Sequence, residues 1–265
     1  MDPLVISTCQ APNMDFLCRD LAAYISEKLS IPVDVQIDLP WQERDRLLDA
    51  GQIDLCWICG LPYVRKADRN ASQIELLAAP VMQGERYQNR PIYYSDVVVH
   101  RNSRFETLAD LRGASWAYNE PGSQSGYNVT LNELAVRGLG SGFFGRVIES
   151  GAHQKSIQMI LAGEIDGSAI DSTVLEMELL NDPSIPSRIR VIDTFGPSPI
   201  PPWVVSKSTP SKLRTALSEL FIRMDRDPRG RDLLAKAHML RFARVNDGDY
   251  DPIREMAHRA VAVRF

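Results

Sequence analysis

The chain has 265 residues, with 30 Lys and Arg against 34 Asp and Glu, and 44% of its residues are hydrophobic. This length is enough for one large or two medium domains with a proper core, and the ordinary composition excludes a disordered chain. The net charge of −4 and the absence of a dense Lys/Arg cluster exclude a nucleic-acid-binding surface, and four cysteines are too few for a disulfide scaffold.

Apolar runs bounded by turn residues alternate with helically spaced apolar residues along the chain, which is typical of α/β proteins. The first part is predicted to contain strands at 4–8, 33–37 and 55–58 and helices at 16–29 and 42–50. The remainder is predicted to contain strands at 96–100, 115–118 and 168–170 and helices at 108–111, 127–137, 153–162, 173–180, 212–226 and 252–262.

One short pattern occurs twice, as Ala50-Gly51-Gln52-Ile53-Asp54 and Ala162-Gly163-Glu164-Ile165-Asp166. In both, a helix is predicted to end at a glycine in the left-handed C′ position, and an apolar residue and an aspartate lead into a buried strand. The spacing of 112 residues is too long for a solenoid repeat. The pattern favours two similar α/β lobes, although such junctions also recur by chance in α/β proteins.

No apolar run reaches the length of about 18 residues that a membrane span needs, so direct membrane insertion is not expected. The chain begins Met1-Asp2-Pro3 and enters an apolar segment at once, without the basic and apolar regions of a secretory leader. Two locations follow as alternatives. The protein is cytoplasmic if Met1 is the native start, and periplasmic or otherwise extracytoplasmic if a leader has been removed.

A loop rich in small residues, Asn119 to Gly126, lies between a predicted strand and a predicted helix. Small side chains leave backbone N–H groups accessible, and a helix N-terminus carries partial positive charge, so Gly122, Ser123, Ser125 and Gly126 predict an anion site. The simpler alternative is an ordinary serine N-cap, which would explain one serine but not the whole stretch.

Two further residues follow predicted strands. His153 opens a helix and is able to donate to an anion, although a surface or capping histidine is the more common case. Asp171 lies at the carboxyl end of a strand, where ligands collect in open α/β sheets, or else caps the next helix. Ser125, His153 and Asp171 do not predict a catalytic triad, because the Gly-x-Ser-x-Gly pattern is not met.

The C-x-x-C spacing of Cys56 and Cys59 lies within or just after a strand. A redox motif needs its first cysteine at a helix N-terminus, and a zinc site needs a second ligand pair, so buried cysteines are the better interpretation. Aromatic residues near predicted strand ends could line a pocket, although each one singly is more often a core residue. They are Trp41, Trp57, Tyr63, Tyr93, Tyr94 and Trp203.

Six ordered motifs resemble the phosphate/phosphonate-type substrate-binding proteins of ABC transporters, over nearly the whole chain. The motifs are Tyr93-Tyr94-Ser95, the segments 105–113 and 120–127, Ser150-Gly151-Ala152-His153, the segment 163–172, and the segment 247–254. The resemblance implies the two-lobed type II periplasmic-binding-protein fold, in which each lobe is a mostly parallel sheet flanked by helices and two hinge strands join the lobes. Lobe 1 would contain residues 1–93 and 203–265, and lobe 2 residues 94–202.

The resemblance also implies a ligand-binding site. Ser123, Gln124 and Ser125 stand at the three phosphonate-contacting positions of the family, and His153 matches its anion-contacting histidine. Trp41 falls at a pocket tyrosine position, and Tyr93 or Tyr94 at a second one.

Two departures from the family pattern bear on the ligand. Gln124 replaces a threonine, so a longer amide would crowd or extend the anion site. The positions that hold an ammonium group in some members fall on Thr173 and near Trp203, and neither is acidic. An aminoalkyl phosphonate is therefore not expected, because an unpaired ammonium in a closed site is costly. Trp203 would suit a flat or apolar substituent instead, or would simply make the cavity smaller.

The expected function is a non-enzymatic, monomeric binding protein that closes on a small anionic ligand, a phosphonate or another oxyanion, for an ABC-transporter permease or as a sensor. No metal or cofactor is expected. The alternative is a cytoplasmic enzyme on the same fold, such as a chorismate-dehydratase-like lyase.

Overall fold

The computed structural model describes residues 2–265, and the chain in it forms two compact units. The first unit contains the residues up to Ile92 together with Pro199–Tyr250, and the second contains Tyr93–Ser198 together with Asp251–Phe265. Sequence analysis placed all of residues 203–265 in the first lobe, whereas residues 251–265 pack with the second unit. The reason is apolar burial, since Ala260 and Val263 belong to the hydrophobic core of the second unit.

The first unit is built on a six-stranded sheet with the order β11-β4-β10-β3-β1-β2. Its strands are β1 (Leu4–Thr8), β2 (Val33–Val35), β3 (Leu55–Trp57), β4 (Ile74–Met82), β10 (Trp203–Ser206) and β11 (Met239–Ala243). Its helices are α1 (Asp15–Leu29), α2 (Trp41–Asp49), α3 (Gly60–Ala67), α7 (Ser211–Ile222) and α8 (Pro228–Lys236).

The second unit is built on a five-stranded sheet with the order β7-β6-β8-β5-β9. Its strands are β5 (Ile92–His100), β6 (Ser115–Tyr118), β7 (Arg146–Glu149), β8 (Gly167–Asp171) and β9 (Ile189–Pro199). Its helices are α4 (Val129–Val136), α5 (His153–Leu161), α6 (Ser172–Asn181) and α9 (Asp251–Ala260). Among residues 2–265 there is no helix with both the length and the apolar content required to cross a membrane.

Both sheets are mixed, with parallel strands on one side and antiparallel strands on the other. β1 pairs in parallel with β2 and β3, and β6 pairs in parallel with β7 and β8. β10 runs antiparallel to β3 and β4, and β5 runs antiparallel to β8. The predicted two-lobed α/β fold is confirmed, and the sheets are mixed rather than mostly parallel because β10 in the first unit and β5 in the second run in the opposite direction to their neighbours.

The parallel pairs place the loops that could bind a ligand at one edge of each sheet. In the second unit, the register Tyr118↔Glu149 brings the ends of β6 and β7 side by side. The segments that follow them open the helical turn at Gln124 and helix α5. Ligands in open α/β sheets collect at this carboxyl edge, so the register fixes where the predicted anion residues meet.

The two copies of the repeated pattern form the same helix-to-strand junction. Gly51 and Gly163 both adopt the left-handed conformation, with φ of +68° and +72°. After each glycine comes an aspartate whose carboxylate accepts the backbone N–H of the neighbouring parallel strand: Asp54 from Val5 at 2.9 Å and Asp166 from Ser115 at 2.8 Å. Each aspartate also donates its own N–H to the carbonyl of that same residue.

Candidate functional site

A helical turn begins at the small-residue loop, three residues earlier than the sequence predicted. It covers Gln124–Asn128 and continues directly into α4. Ser123 caps it, because its hydroxyl accepts the N–H of Gly126 at 3.0 Å. The first N–H groups of such a turn have no acceptor within the helix, so Ser123 and Ser125 stand where backbone donors are available to an anion.

His153 meets this turn from the neighbouring helix. It is the first residue of α5, and its Nε2 lies 2.9 Å from the Ser125 hydroxyl. The Ser125 and Ser123 hydroxyls lie 3.5 Å apart. All three side chains are buried in the second unit. The fold therefore brings the two hydroxyls and the imidazole into one cluster, although Ser125 and His153 are 28 residues apart in the chain. Sequence analysis predicted that these groups act together.

The His153 imidazole is neutral at physiological pH. Burial lowers its pKa from 6.5 to about 4, because the charged form would lose its hydration. Its Nδ1 is buried and has no hydrogen-bond partner within residues 2–265. An anion at this cluster would therefore meet hydroxyl, imidazole and backbone dipoles rather than a charged side chain.

Gly126 permits the close approach that the cluster requires. A Cβ at this position would lie 2.1 Å from Asn119 Oδ1 and 3.2 Å from His153 Cε1. No side chain fits there without moving Asn119 or the imidazole ring. Sequence analysis identified Gly126 as small but gave no role to Asn119, whose contact depends on the fold bringing β6 beside α5.

The side chain of Gln124 is held within the second unit. Its Oε1 accepts from Asn128 Nδ2 at 2.7 Å, and its Nε2 lies 3.1 Å from the sulfur of Met256 on α9. The pairing with Asn128 follows from the earlier helix start, which makes the two residues i, i+4 neighbours. These contacts connect the Gln124 amide to α9, and whether it crowds or extends the anion site stays a prediction.

Asp171 ends β8 and caps α6. Its Oδ1 accepts from the backbone N–H of Thr173 at 2.8 Å and from the Thr173 hydroxyl at 2.7 Å. Burial raises its pKa from 3.8 to about 6, against smaller lowering effects of these hydrogen bonds. Because His153 Nδ1 has no partner within the described chain, Asp171 does not orient the imidazole as a triad aspartate would.

The four predicted aromatic site residues are divided between the two units. Tyr93 is fully buried in β5, and the backbone N–H of Tyr94 donates to the Ser172 hydroxyl at 3.1 Å. In the first unit, Trp41 is the half-buried first residue of α2, while Trp203 is fully buried and stacks on Trp57 with ring centroids 5.7 Å apart. Trp203 is therefore a core residue, and ligand contact by any of the four stays a prediction.

Cys56 and Cys59 occupy structural positions in the first unit. Cys56 is fully buried in β3, with its sulfur 4.0 Å from that of Cys9, and burial raises the pKa of its thiol well above the usual value. Cys59 is the N-cap residue of α3. No group of three or more His, Cys, Asp or Glu side chains that could hold a metal ion occurs between residues 2 and 265.

Comparison with known proteins gives a family match over most of the chain. The model of the family described as ABC transporter, phosphonate, periplasmic substrate-binding protein matches residues 4–250.

Solved structures show the same fold. A binding protein component of an ABC phosphonate transporter from Pseudomonas aeruginosa has a TM-score of 0.84 at 17% identity, over 98% of this chain and 87% of the other. PhnD1 from Prochlorococcus marinus, in complex with methylphosphonate, has a TM-score of 0.85 at 17% identity, over 98% of both chains. The aliphatic sulphonate binding protein SsuA from Escherichia coli has a TM-score of 0.61 at 16% identity, over 97% of this chain and 86% of the other.

Proposed function

The chain belongs to the family of periplasmic substrate-binding proteins of phosphonate ABC transporters, and from that premise we propose that it binds the phosphonate group of a small organic ligand at Ser123, Ser125 and His153. In this role it delivers the ligand to a membrane permease. The family match does not support the alternative of a dehydratase-like enzyme.

The observation that carries the proposal is the 2.9 Å contact between Ser125 Oγ and His153 Nε2 at the start of a helix. When the imidazole proton is on Nε2, it donates to the Ser125 oxygen and leaves the hydroxyl hydrogen free for a ligand oxygen. The Ser123 hydroxyl lies beside it and supplies a second oxygen-bound donor. Backbone N–H groups of the first helical turn add further donors and the positive end of the helix dipole.

Neutral donors select a ligand by the geometry of its oxygen atoms. A buried cation in this cluster would attract any anion, whereas hydroxyl and amide dipoles favour a group whose several oxygens match their positions. A tetrahedral phosphonate offers three such oxygens. The methylphosphonate complex of the Prochlorococcus marinus relative supports the choice of this compound as the first probe.

The location proposed for this chain is the periplasm, which is where its family works. The chain is proposed to act as a monomer there. Tyr93 or Tyr94, Trp41 and Trp203 are proposed ligand contacts on the family resemblance alone.

The test is isothermal titration of the wild-type protein and two variants with methylphosphonate. Loss of one or two hydrogen bonds to an anion, each worth about 1.5–3 kcal/mol, predicts that Ser125→Ala with His153→Gln lowers affinity more than tenfold. His258→Gln, on the exposed face of α9, is the matched control and keeps wild-type affinity. Unchanged affinity in the folded double variant would show that the proposed site is wrong. Absence of binding by the wild type would show that methylphosphonate is not a ligand.

A further inference from the structure

The loop that carries the phosphonate cluster begins and ends at two tyrosines whose rings are in contact. Tyr118 is the last residue of β6, and Tyr127 lies in the helical turn Gln124–Asn128. Their ring centroids are 5.0 Å apart in an edge-to-face arrangement. The residues between them, 119–126, include both serines of the cluster. The two ring positions therefore determine where this loop starts and where it returns.

Phe265 packs on both tyrosines. Its ring centroid is 5.2 Å from that of Tyr118, with the planes nearly parallel at 12°, and 5.2 Å from that of Tyr127, with the planes nearly perpendicular at 77°. The Phe144 ring lies 6.1 Å away and continues the cluster into the hydrophobic core of the second unit. Stacked and edge-to-face contacts at such distances are favourable for aromatic rings. Phe265 thus connects both ends of the loop to the core.

Helix α9 brings Phe265 to the loop and is itself attached to the same region. The sulfur of Met256 lies 3.1 Å from Nε2 of Gln124, the first residue of the helical turn. Arg259 Nε donates to Oδ1 of Asn132 on α4 at 2.8 Å. All of these residues belong to the second unit. The fold of that unit alone therefore determines where the Phe265 ring lies relative to the loop.

The phosphonate cluster tolerates little displacement of this loop. Ser125 Oγ lies 2.9 Å from His153 Nε2, and a shift of about 1 Å would break that contact. Gly126 lets the loop backbone approach Asn119 and the imidazole more closely than any side chain would allow. Neutral donors bind an anion through the match between their positions and its oxygens, so a loop that moves loses affinity even when every donor is retained.

We propose that Phe265 is a positioning residue of the phosphonate site, which holds the 119–126 loop in its anion-binding arrangement through Tyr118 and Tyr127. The inference rests on the proposed function for the identity of the ligand, and it adds how the donors are kept in place before the ligand arrives. A phenyl ring has no hydrogen-bonding group to offer to an anion, so its effect on affinity passes through the loop. A loop that is ordered in advance loses less conformational entropy on binding, which raises the affinity.

The experiment measures methylphosphonate affinity and backbone hydrogen exchange of the ligand-free protein in the wild type and in variants at position 265. Phe265→Ala is expected to lower the affinity and to raise exchange at residues 119–127, each by about tenfold, the effect of losing one or two aromatic contacts. Exchange in β5 and β8 stays at the wild-type rate. Phe265→Tyr keeps the ring and keeps both wild-type values. Phe16→Ala is the matched control, because it removes a half-buried ring that packs under Lys236 in the first unit, and it changes neither value.

Three results would overturn the inference. The first is wild-type exchange of the loop in folded Phe265→Ala. The second is faster exchange of the loop with unchanged methylphosphonate affinity, because loop order would then not contribute to binding. The third is an equal increase of exchange in β5, β8 and the loop, which would mean a general role in stability.

Two further outcomes are separated by the same measurements. If Phe265→Ala does not fold, Phe265→Leu replaces it, since it keeps apolar bulk without the ring, and wild-type affinity and exchange in that variant refute the role. If the wild type does not bind methylphosphonate, the proposed ligand is wrong. Exchange of the loop in the ligand-free variants then decides the positioning role by itself, because it needs no ligand.

Discussion

The two units repeat one architecture at a constant chain spacing and differ in what they place on it. Trp41 and His153, 112 positions apart, each begin a nine-residue helix. Cys59 and Asp171, also 112 positions apart, each cap the helix that follows a buried strand. The position of His153 in the second unit therefore has a counterpart in the first, where Trp41 stands instead.

The shared features and the differing ones lie at opposite ends of the strands. The glycine turns and the aspartate hydrogen bonds precede β3 and β8, at their amino ends. Trp41, His153, Cys59 and Asp171 lie at the carboxyl edge, where ligands bind in such sheets. The comparison teaches that the amino ends of these strands keep the same stabilising hydrogen bonds in both units, while the residues at the carboxyl edge differ between them.

The largest expected effects are two opposing pH dependences of stability, both arising from buried groups of the second unit. Asp171, with its pKa raised to about 6, binds its proton more tightly when folded, so its contribution to stability falls as the pH rises from about 4 to 6. His153, with its pKa lowered to about 4, binds its proton less tightly when folded, so its contribution rises between pH 4 and 6.5. Each effect amounts to about 3 kcal/mol, and the two nearly cancel.

Single substitutions remove the cancellation. Asp171→Asn keeps a capping side chain and leaves a stability that rises by about 3 kcal/mol from pH 4 to 6.5, while His153→Gln leaves one that falls by a similar amount. Urea unfolding at several pH values measures the profile, and hydrogen exchange assigns it to a unit. Variants that follow the wild-type profile would show that these two groups are not buried in solution. A change in first-unit exchange would contradict the assignment to the second unit.

The next effect tests whether the shared junctions stabilise both units alike. Asp54 accepts from Val5 N and from the Thr209 hydroxyl at 2.7 Å, so it joins three segments of the chain. Among the described residues 2–265, the Asp166 carboxylate accepts only from Ser115, through its N–H and its hydroxyl at 2.7 Å. Replacing either aspartate by alanine leaves partly buried donors unpaired and is expected to cost about 2 kcal/mol.

The larger loss is expected for Asp54→Ala, since it disconnects one segment more. Thermal unfolding of the two variants side by side gives the difference, with Asp20→Ala, a surface ion-pair residue of α1, as a control that changes stability little. A greater loss of thermal stability in Asp166→Ala would mean that the number of segments joined by each aspartate does not determine how much its junction stabilises the protein.

Local patterns in the sequence were enough to predict part of the scaffold. The glycine-aspartate repeat and the apolar spacing of α1 depend on neighbours within a few positions, and the structure forms both as expected, whereas the helical turn at the small residues around Ser125 begins three residues earlier than predicted. The β4 strand (74–82) and the β9–β11 strands were not identified individually, because their pairing depends on distant segments that no local pattern specifies.

One feature of the site depends on the three-dimensional fold. The direction of the Gln124 amide is set by a contact with Met256, 132 positions away, and no local pattern in the sequence relates residues that are so far apart.

A smaller effect distinguishes the two glycines. Alanine at Gly163 would meet no atom within 4 Å, so its cost is the left-handed backbone alone, about 1 kcal/mol. Alanine at Gly51 would also meet the Ser208 hydroxyl at 3.2 Å and is expected to cost more. The double variant Gly51→Ala with Ser208→Gly separates the two causes when it is compared with Ser208→Gly alone, because against that background Gly51→Ala should lose only as much as Gly163→Ala loses against the wild type. Equal losses in the two single variants would show that the Ser208 contact yields without cost.

The smallest expected effect comes from giving a helix of the first unit the side-chain cap that its counterpart in the second unit already has. Asp171 caps α6 through the N–H two residues on, whereas the Cys59 side chain makes no capping hydrogen bond to α3. Cys59→Ser gives the N-cap position a hydroxyl oxygen that can accept the backbone N–H of Leu61. Pro62, the next residue within reach of such a cap, has no N–H to donate. The expected gain is about 0.5–1 kcal/mol in thermal unfolding, with ligand affinity unchanged. A loss of stability in Cys59→Ser would mean that the new hydroxyl does not cap α3.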